Sequence, residues 1–393
     1  MSSSRTATPT LLTAAFGVSL AQTIVVAALP VFGRELHTTG TTITWLLTGF
    51  MLVSAVATPI AGRLGDLLGY RRVLIACLLI FLTGTVLAAV ANSNGWFPGV
   101  LTGRLLQGIG GGVFPMVFGL ARTVVPAARL RPVIAMISAI FGVGGALGIV
   151  LAGPITDWLG TSALFWCTAI VAAASLAGAL NLPAPRAESA TPAGISGSLD
   201  VLRSRALITV NLATIVISVA MFASVALLPQ LLEGALGASP TETGIAMIPM
   251  AVLMLAAGRV SAHLPARTSF QLGAALAAVA FVLLAVAHHH VWQTYLAGAV
   301  IGAAYGLAYS SLGHLVMDAA PAEHTGAATG VNTILRTLGA AIGAQLSAVI
   351  LTGTPTDSRY VAAFLTFAAV GLVALITAFT IRRATAQPAG VNV

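Results

Sequence analysis

With 393 residues, 58% hydrophobic and only 7% charged, the chain cannot clothe a water-soluble core, since soluble domains carry roughly a quarter charged residues. Its mean hydropathy of +0.99 places most side chains in an apolar solvent, a lipid bilayer. The net charge of +8 comes from 18 basic residues that are all Arg, set singly or in pairs between apolar stretches. No basic stripe with interleaved aromatics is present, so a nucleic-acid partner is excluded.

Taken in chain order, apolar stretches fall at 11–32, 43–61, 73–93, 98–121, 132–154, 163–182, 206–232, 243–258, 269–287, 291–317, 326–352 and 360–381. Each is predicted to be a membrane-crossing helix, because only a helix satisfies every backbone N–H and C=O within its own segment. The polar lead from Met1 to Thr10 shows no cleavage site, so the first stretch is expected to be a retained span. Between the sixth and seventh, residues 183–205 turn small and polar (Pro183-Ala-Pro-Arg186-Ala-Glu-Ser), which reads as a linker. The expected organisation is a six-helix bundle over 1–182, a cytoplasmic linker over 183–205 and a second bundle over 206–393. A faint echo relates the halves. Ala28-Leu29-Pro30 precedes Gly62-Arg63 much as Leu227-Leu228-Pro229 precedes Gly258-Arg259.

Arginine placement sets the expected topology. With a cytoplasmic N-terminus, the inner segments hold Arg5, Arg63, Arg71, Arg72, Arg122, Arg129, Arg131, Arg186, Arg203, Arg205, Arg259, Arg267, Arg382 and Arg383, against Arg34 and Arg359 outside. Both termini are therefore expected in the cytoplasm of a multi-pass protein of the cell (inner or plasma) membrane.

Three runs carry more than hydropathy. The loop after the second span reads Gly62-Arg63-Leu64-Gly65-Asp66-Leu67-Leu68-Gly69-Tyr70-Arg71-Arg72. Its glycines permit a tight turn, and Asp66, Arg71 and Arg72 can make charge-assisted contacts to neighbouring helix ends. The fourth span carries Arg104, Gln107 and Gly108 at i, i+3 and i+4, on one helix face, followed by the packing run Gly110-Gly111-Gly112. The fifth carries Gly144, Gly148 and Ala152 at four-residue spacing, then Gly153-Pro154, a small-residue face for close helix approach.

Together these runs resemble the loop, span-4 and span-5 motifs of major facilitator transporters, and the likeness extends over nearly the whole chain. Ala21-Gln22-Thr23, Thr44-Trp45, Leu236-Gly237-Ala-Ser239-Pro240 and Gly330-Val-Asn332 look like the drug:proton antiporters of that superfamily, which usually have fourteen spans. The resemblance implies an all-α membrane protein of twelve helices in two pseudo-symmetric bundles, moving a small-molecule substrate by alternating access as a monomer, with proton coupling. It implies a conformational latch at Gly62, Asp66, Gly69, Arg71 and Arg72. Arg104 stands where related exporters place a residue serving proton transfer; a structural arginine bonding backbone carbonyls is the equal alternative. Two departures occur in span 5, where Ile149 replaces a proline and Ala152 a glycine. In span 1, Gln22 replaces a carboxylate and cannot titrate.

Candidate substrate or coupling residues are accordingly Gln22, Thr23, Arg104, Gln107, Tyr305, Tyr309, His314, Asn332 and Arg336, with Gly144, Gly148, Ala152, Gly153 and Pro154 as packing residues. Arg104 and Arg336 together are expected to give the cavity a positive lining. His314 is taken as the embedded histidine, and His288-His289-His290 as an exposed outer loop. No Asp or Glu falls in the middle of a span; the nearest are Glu35, Asp157 and Glu233 at outer ends and Asp66 and Asp318 at inner ends. Cys77 and Cys167 sit singly in apolar spans, with no disulfide or metal pattern. No nucleophile, metal cluster or phosphate loop supports an enzyme, and no cofactor is expected. With few embedded charges, the expected cargo is hydrophobic or amphipathic and the expected direction export. An importer or uniporter without proton antiport is the second reading, and a non-transporting membrane sensor the third.

Overall fold

A computed structural model describes residues 3–182, 204–320, 325–353 and 356–381. The linker expected at 183–205 lies almost wholly outside the described residues. Within them the chain is helical, with no strand. Ten helical stretches are long and apolar enough to cross a bilayer. They are span 2 (Gly40–Leu68), span 3 (Tyr70–Ser93), span 4 (Phe97–Val124), span 6 (Ser162–Leu180), span 7 (Arg205–Ala235), span 8 (Pro240–Ser261), span 9 (Ala266–Val286), span 10 (Val291–Ala319), span 11 (Ala328–Ile350, within the helix Thr325–Ile350) and span 12 (Asp357–Thr380). The first and fifth places are taken by Ser3–Thr23 with Leu29–Glu35, and by the 33-residue helix Ala127–Leu159.

Span 1 departs from the expected unbroken helix. It starts at Ser3, ends at Thr23 and resumes at Leu29. Pro30 has no N–H to bond the Val26 carbonyl, and the preceding backbone tightens into three-residue turns, Val26 N to Thr23 O (3.0 Å) and Ala28 N to Val25 O (3.2 Å). Broken backbone at membrane depth is tolerated only inside protein, and Ile24 through Ala28 are all buried. Span 7 is irregular at the corresponding point: after Pro229 it continues as a π-helical turn, Gln230–Ala235.

The two halves repeat each other's packing. Span 5 lies on span 1 through Gly148, where a Cβ would meet Thr23 Oγ1 at 2.2 Å, and span 11 lies on span 7 through Gly343, where a Cβ would meet Val219 O at 2.1 Å. Span 4 approaches span 2 at Gly108, and span 10 approaches span 8 at Gly302, again with backbone oxygens within 3 Å of a Cβ position. Without a hydrophobic drive between helices in lipid, such small-residue contacts are what hold a bundle together.

The halves meet along two seams, span 2 against span 11 and span 5 against span 8. Thr48 Oγ1 donates to Gln345 Oε1 at 3.3 Å in the first. In the second, Gly153 packs on the Pro240 backbone, and the Asp157 carboxylate accepts from Thr241 N at 2.8 Å and from its hydroxyl. The bonds Thr48 to Gln345, Gln345 to Thr41 and Thr241 to Asp157, and the Arg34–Glu233 ion pair, all join the halves at this end, opposite the Asp66 loop.

Candidate functional site

In the N-terminal half the polar centre is Arg104, fully buried. Its Nε donates to Leu46 O (2.8 Å), and its Nη1 to Ala21 O (3.0 Å) and Gln107 Oε1 (2.7 Å). Gln107 Nε2 passes the chain on to Thr85 Oγ1 (2.8 Å), and the guanidinium lies 4.5 Å from the Phe50 ring centroid. The i, i+3 spacing sets Arg104 and Gln107 side by side, and spans 1, 2 and 3 are then tied to span 4 through them. These are the contacts that the carbonyl-bonding reading of Arg104 calls for. Arg104 has no exposed surface in this structure, whereas Arg336 does, so of the two arginines expected to give a positive lining only Arg336 is accessible here. A buried guanidinium is costly and is held only because neighbouring carbonyls and a ring face it; Nη2 has no partner.

In the C-terminal half, spans 7, 10 and 11 carry the corresponding polar network. Asn332 Nδ2 donates to Asn211 Oδ1 (2.9 Å) and Thr214 Oγ1 (2.7 Å), and Tyr309 OH donates to Ser218 Oγ (2.8 Å). Arg336, one turn beyond Asn332, lies over the Tyr309 ring at 5.6 Å, and Tyr305 meets Tyr309 edge-on with centroids 6.3 Å apart. Tyr305 is fully buried, whereas Tyr309 and Arg336 are half-buried.

Burial therefore sorts the nine candidates. Gln22, Thr23, Tyr309 and Arg336 keep exposed surface; Arg104, Gln107, Tyr305 and Asn332 are enclosed. Thr23 Oγ1 is occupied by Gly145 O at 2.8 Å. His314 is exposed in the last turns of span 10, not embedded as expected.

At the Asp66 loop, Gly69 adopts φ +92°, a left-handed turn that suits a residue without Cβ. Arg71 reaches the last turn of span 6, donating to Ala179 O (3.3 Å) and Leu180 O (2.6 Å), where a cation meets the negative helix end. Asp66 accepts from the Tyr70 hydroxyl. Arg72 edges an apolar groove of about 740 Å³ along spans 2 and 3, lined by Leu52, Val56, Ile60, Leu64 and Ile80. None of the nine candidates borders it.

Sequence reasoning undervalued Glu233. Its side chain is 1% exposed, and it is the buried carboxylate among the described residues. It stands in the π-turn of span 7 at the closed end, 3.7 Å from Arg34 of the other half. Thr243 is adjacent, but neither carboxyl oxygen has a hydrogen bond of normal geometry. Its position at a span end hid it; the signal available was its distance from any other acidic residue in an apolar stretch.

Two pseudo-symmetric helical bundles, packed along paired seams and bonded at one end, make the architecture of the major facilitator fold. The chain belongs to the Major Facilitator Superfamily, whose family profile matches residues 11–344 and 210–392. An uncharacterised MFS-type transporter of Mycobacterium tuberculosis is 29% identical over 399 residues; the match covers 84% of this chain but 57% of that protein's length. The tetracenomycin C resistance and export protein of Streptomyces glaucescens is 33% identical over 187 residues, 46% of this chain and 34% of that protein. Among solved structures, the nucleoside transporter NupG superposes with a TM-score of 0.78 at 12% identity, covering 96% of this chain and all of that one. A bacterial homologue of the human lysosomal transporter Spinster, inward-facing and unoccupied, also gives 0.78, at 15% identity and 97% coverage of each chain.

Proposed function

We propose that this chain exports a hydrophobic or amphipathic small molecule by alternating access, in exchange for protons, as a monomer in the cell membrane with both termini cytoplasmic. The observation that carries the reading is the one-ended seam. The bonds Thr48–Gln345 and Thr241–Asp157 and the Arg34–Glu233 pair join the halves opposite the Asp66 loop, and with the arginine-rich face in the cytoplasm this arrangement corresponds to the inward-facing state. Pseudo-symmetry exchanges the 2–11 seam with the 8–5 seam, which gives the bundles two equivalent ways to rock.

The small number of embedded charges favours lipophilic cargo, as does likeness to a protein named for resistance and export. Tyr309 with Arg336 offers an aromatic face and a cation to an amphipathic ligand. Glu233 is the group we assign to carry the coupling proton, since it lies at the seam that must open and close. A transporter without proton antiport is the second reading, favoured by Gln22 in the position of a titratable residue. Inverted vesicles with an imposed pH gradient separate the two. Accumulation of a lipophilic fluorescent compound that vanishes when the gradient is collapsed is expected, and accumulation that persists defeats proton antiport.

A further inference from the structure

In the run His288-His289-His290, expected to be an exposed outer loop, His289 and His290 are exposed but His288 is not. His288 is buried, with its ring edge-on to Phe364 (centroids 5.4 Å apart) and its Nε2 2.9 Å from Asp357 Oδ1. That contact is intelligible by itself, because a buried imidazole needs a polar partner. His289 is not so explained. It is 61% exposed, yet its Nδ1 also points to Asp357 Oδ1, at 3.6 Å, a separation too long for a hydrogen bond. The three ligand atoms lie within 4.8 Å of one another.

Two nitrogens and a carboxylate oxygen around one point form a donor set for a divalent ion. Ligands bound at about 2.0–2.1 Å in a tetrahedron stand roughly 3.3 Å apart, and the separations of 2.9 and 3.6 Å bracket that value. We propose that His288, His289 and Asp357 bind a zinc-class divalent cation. Imidazole nitrogens select zinc, cobalt or nickel over magnesium or calcium. Asp357 is 65% exposed, so water can fill the remaining position, the open form of such sites. His290 stands at the N-cap of span 10, where its backbone N–H donates to Gln293 Oε1 (3.0 Å). The ion would clip the link between spans 9 and 10 to the first turn of span 12. One turn further, Tyr360 OH donates to Gln230 O (2.9 Å) in the π-turn that carries Glu233, so the clip adjoins the closed end of the seam.

The test uses tag-free full-length protein in lipid nanodiscs, titrated with Co²⁺ followed by its ligand-field absorption and with Zn²⁺ by calorimetry. One ion per chain at micromolar affinity is expected. His289→Ala and Asp357→Asn should each weaken binding by roughly tenfold or more, since even outer partners of a metal site are worth that much. His263→Ala and His314→Ala, exposed histidines elsewhere, should change nothing. Because His289 is exposed, its variant reports on the site even if a change at buried His288 unfolds the chain. Absence of binding at millimolar metal overturns the proposal. So does affinity unchanged in both site variants, which would mark adventitious surface binding.

Discussion

Gly153→Ala tests whether the closed end of the molecule is one of two states. The added Cβ would lie 2.0 Å from Pro240 O, 2.7 Å from Pro240 C and 2.9 Å from Thr241 Cα. These are backbone atoms of the opposite half, so no side chain can swing aside. Spans 5 and 8 must part by about 1 Å, and overpacking of that kind costs about 1–3 kcal/mol. Asp157, one turn along the same helix, holds Thr241 N at 2.8 Å, and the same displacement weakens that bond. Under alternating access the penalty falls only on the state in which this seam is made. A differential of about 1–3 kcal/mol shifts the equilibrium roughly 5–150-fold toward opening at this end. The assay is Thr48→Cys, buried in the other seam, in a Cys77→Ser, Cys167→Ser background, labelled by a membrane-impermeant maleimide. Faster labelling in the Gly153→Ala protein is expected. Labelling no faster than in the parent, with the fold intact, would show that the seam does not open and would refute the reasoning.

Gly148→Ala places a similar clash inside one half, 2.2 Å from Thr23 Oγ1 and 2.9 Å from Leu20 O, so it should lower stability by about 1–3 kcal/mol. Gly145→Ala meets only Thr23 Cγ2 at 3.8 Å and should stay within about 0.5 kcal/mol; thermal melts read by a thiol dye reaching buried Cys77 distinguish them, and equal melts would discredit the packing argument. Arg104→Ala removes the donors to Ala21 and Leu46 and should destabilise by about 2–5 kcal/mol. Transport lost without any loss of stability would instead make Arg104 a working residue. Glu233→Gln keeps size but cannot carry a proton, so pH-driven accumulation should disappear while downhill efflux continues; gradient-driven transport that survives removes Glu233 from the coupling role.

Hydropathy marked the membrane crossings because lipid imposes length and composition on each helix separately. It could not mark the break in span 1, since Ile24 through Ala28 are as apolar as any helix. Only Pro30 signalled it, and its echo at Pro229 coincides with a π-turn instead of a break. The Arg104–Gln107 pairing was legible as a local spacing, whereas the carbonyls it bonds belong to spans 1 and 2 and emerge only from packing. His288 was misread because its partner, Asp357, stands 69 residues away, and three histidines between apolar segments look like any solvated turn. Arg34 and Glu233 were each visible at a span end, but their meeting depends on the closed seam.

The two halves share a backbone plan and differ in how they stiffen it. The first closes its polar centre around a guanidinium that draws spans 1 through 4 to a single point. The second uses neutral amides and hydroxyls, Asn332 with Asn211 and Thr214, and leaves its cation half-buried on Tyr309. Removing one donor from the first strands buried partners, while the second keeps Tyr309 and Arg336 half-buried, where partners can be exchanged at lower cost. Substrate-dependent rearrangement should therefore fall on spans 7, 10 and 11, with spans 1 to 4 moving as a rigid body. Hydrogen exchange with and without transported compound reads this directly: protection changing chiefly around Arg104 would assign the adaptable half to the wrong side.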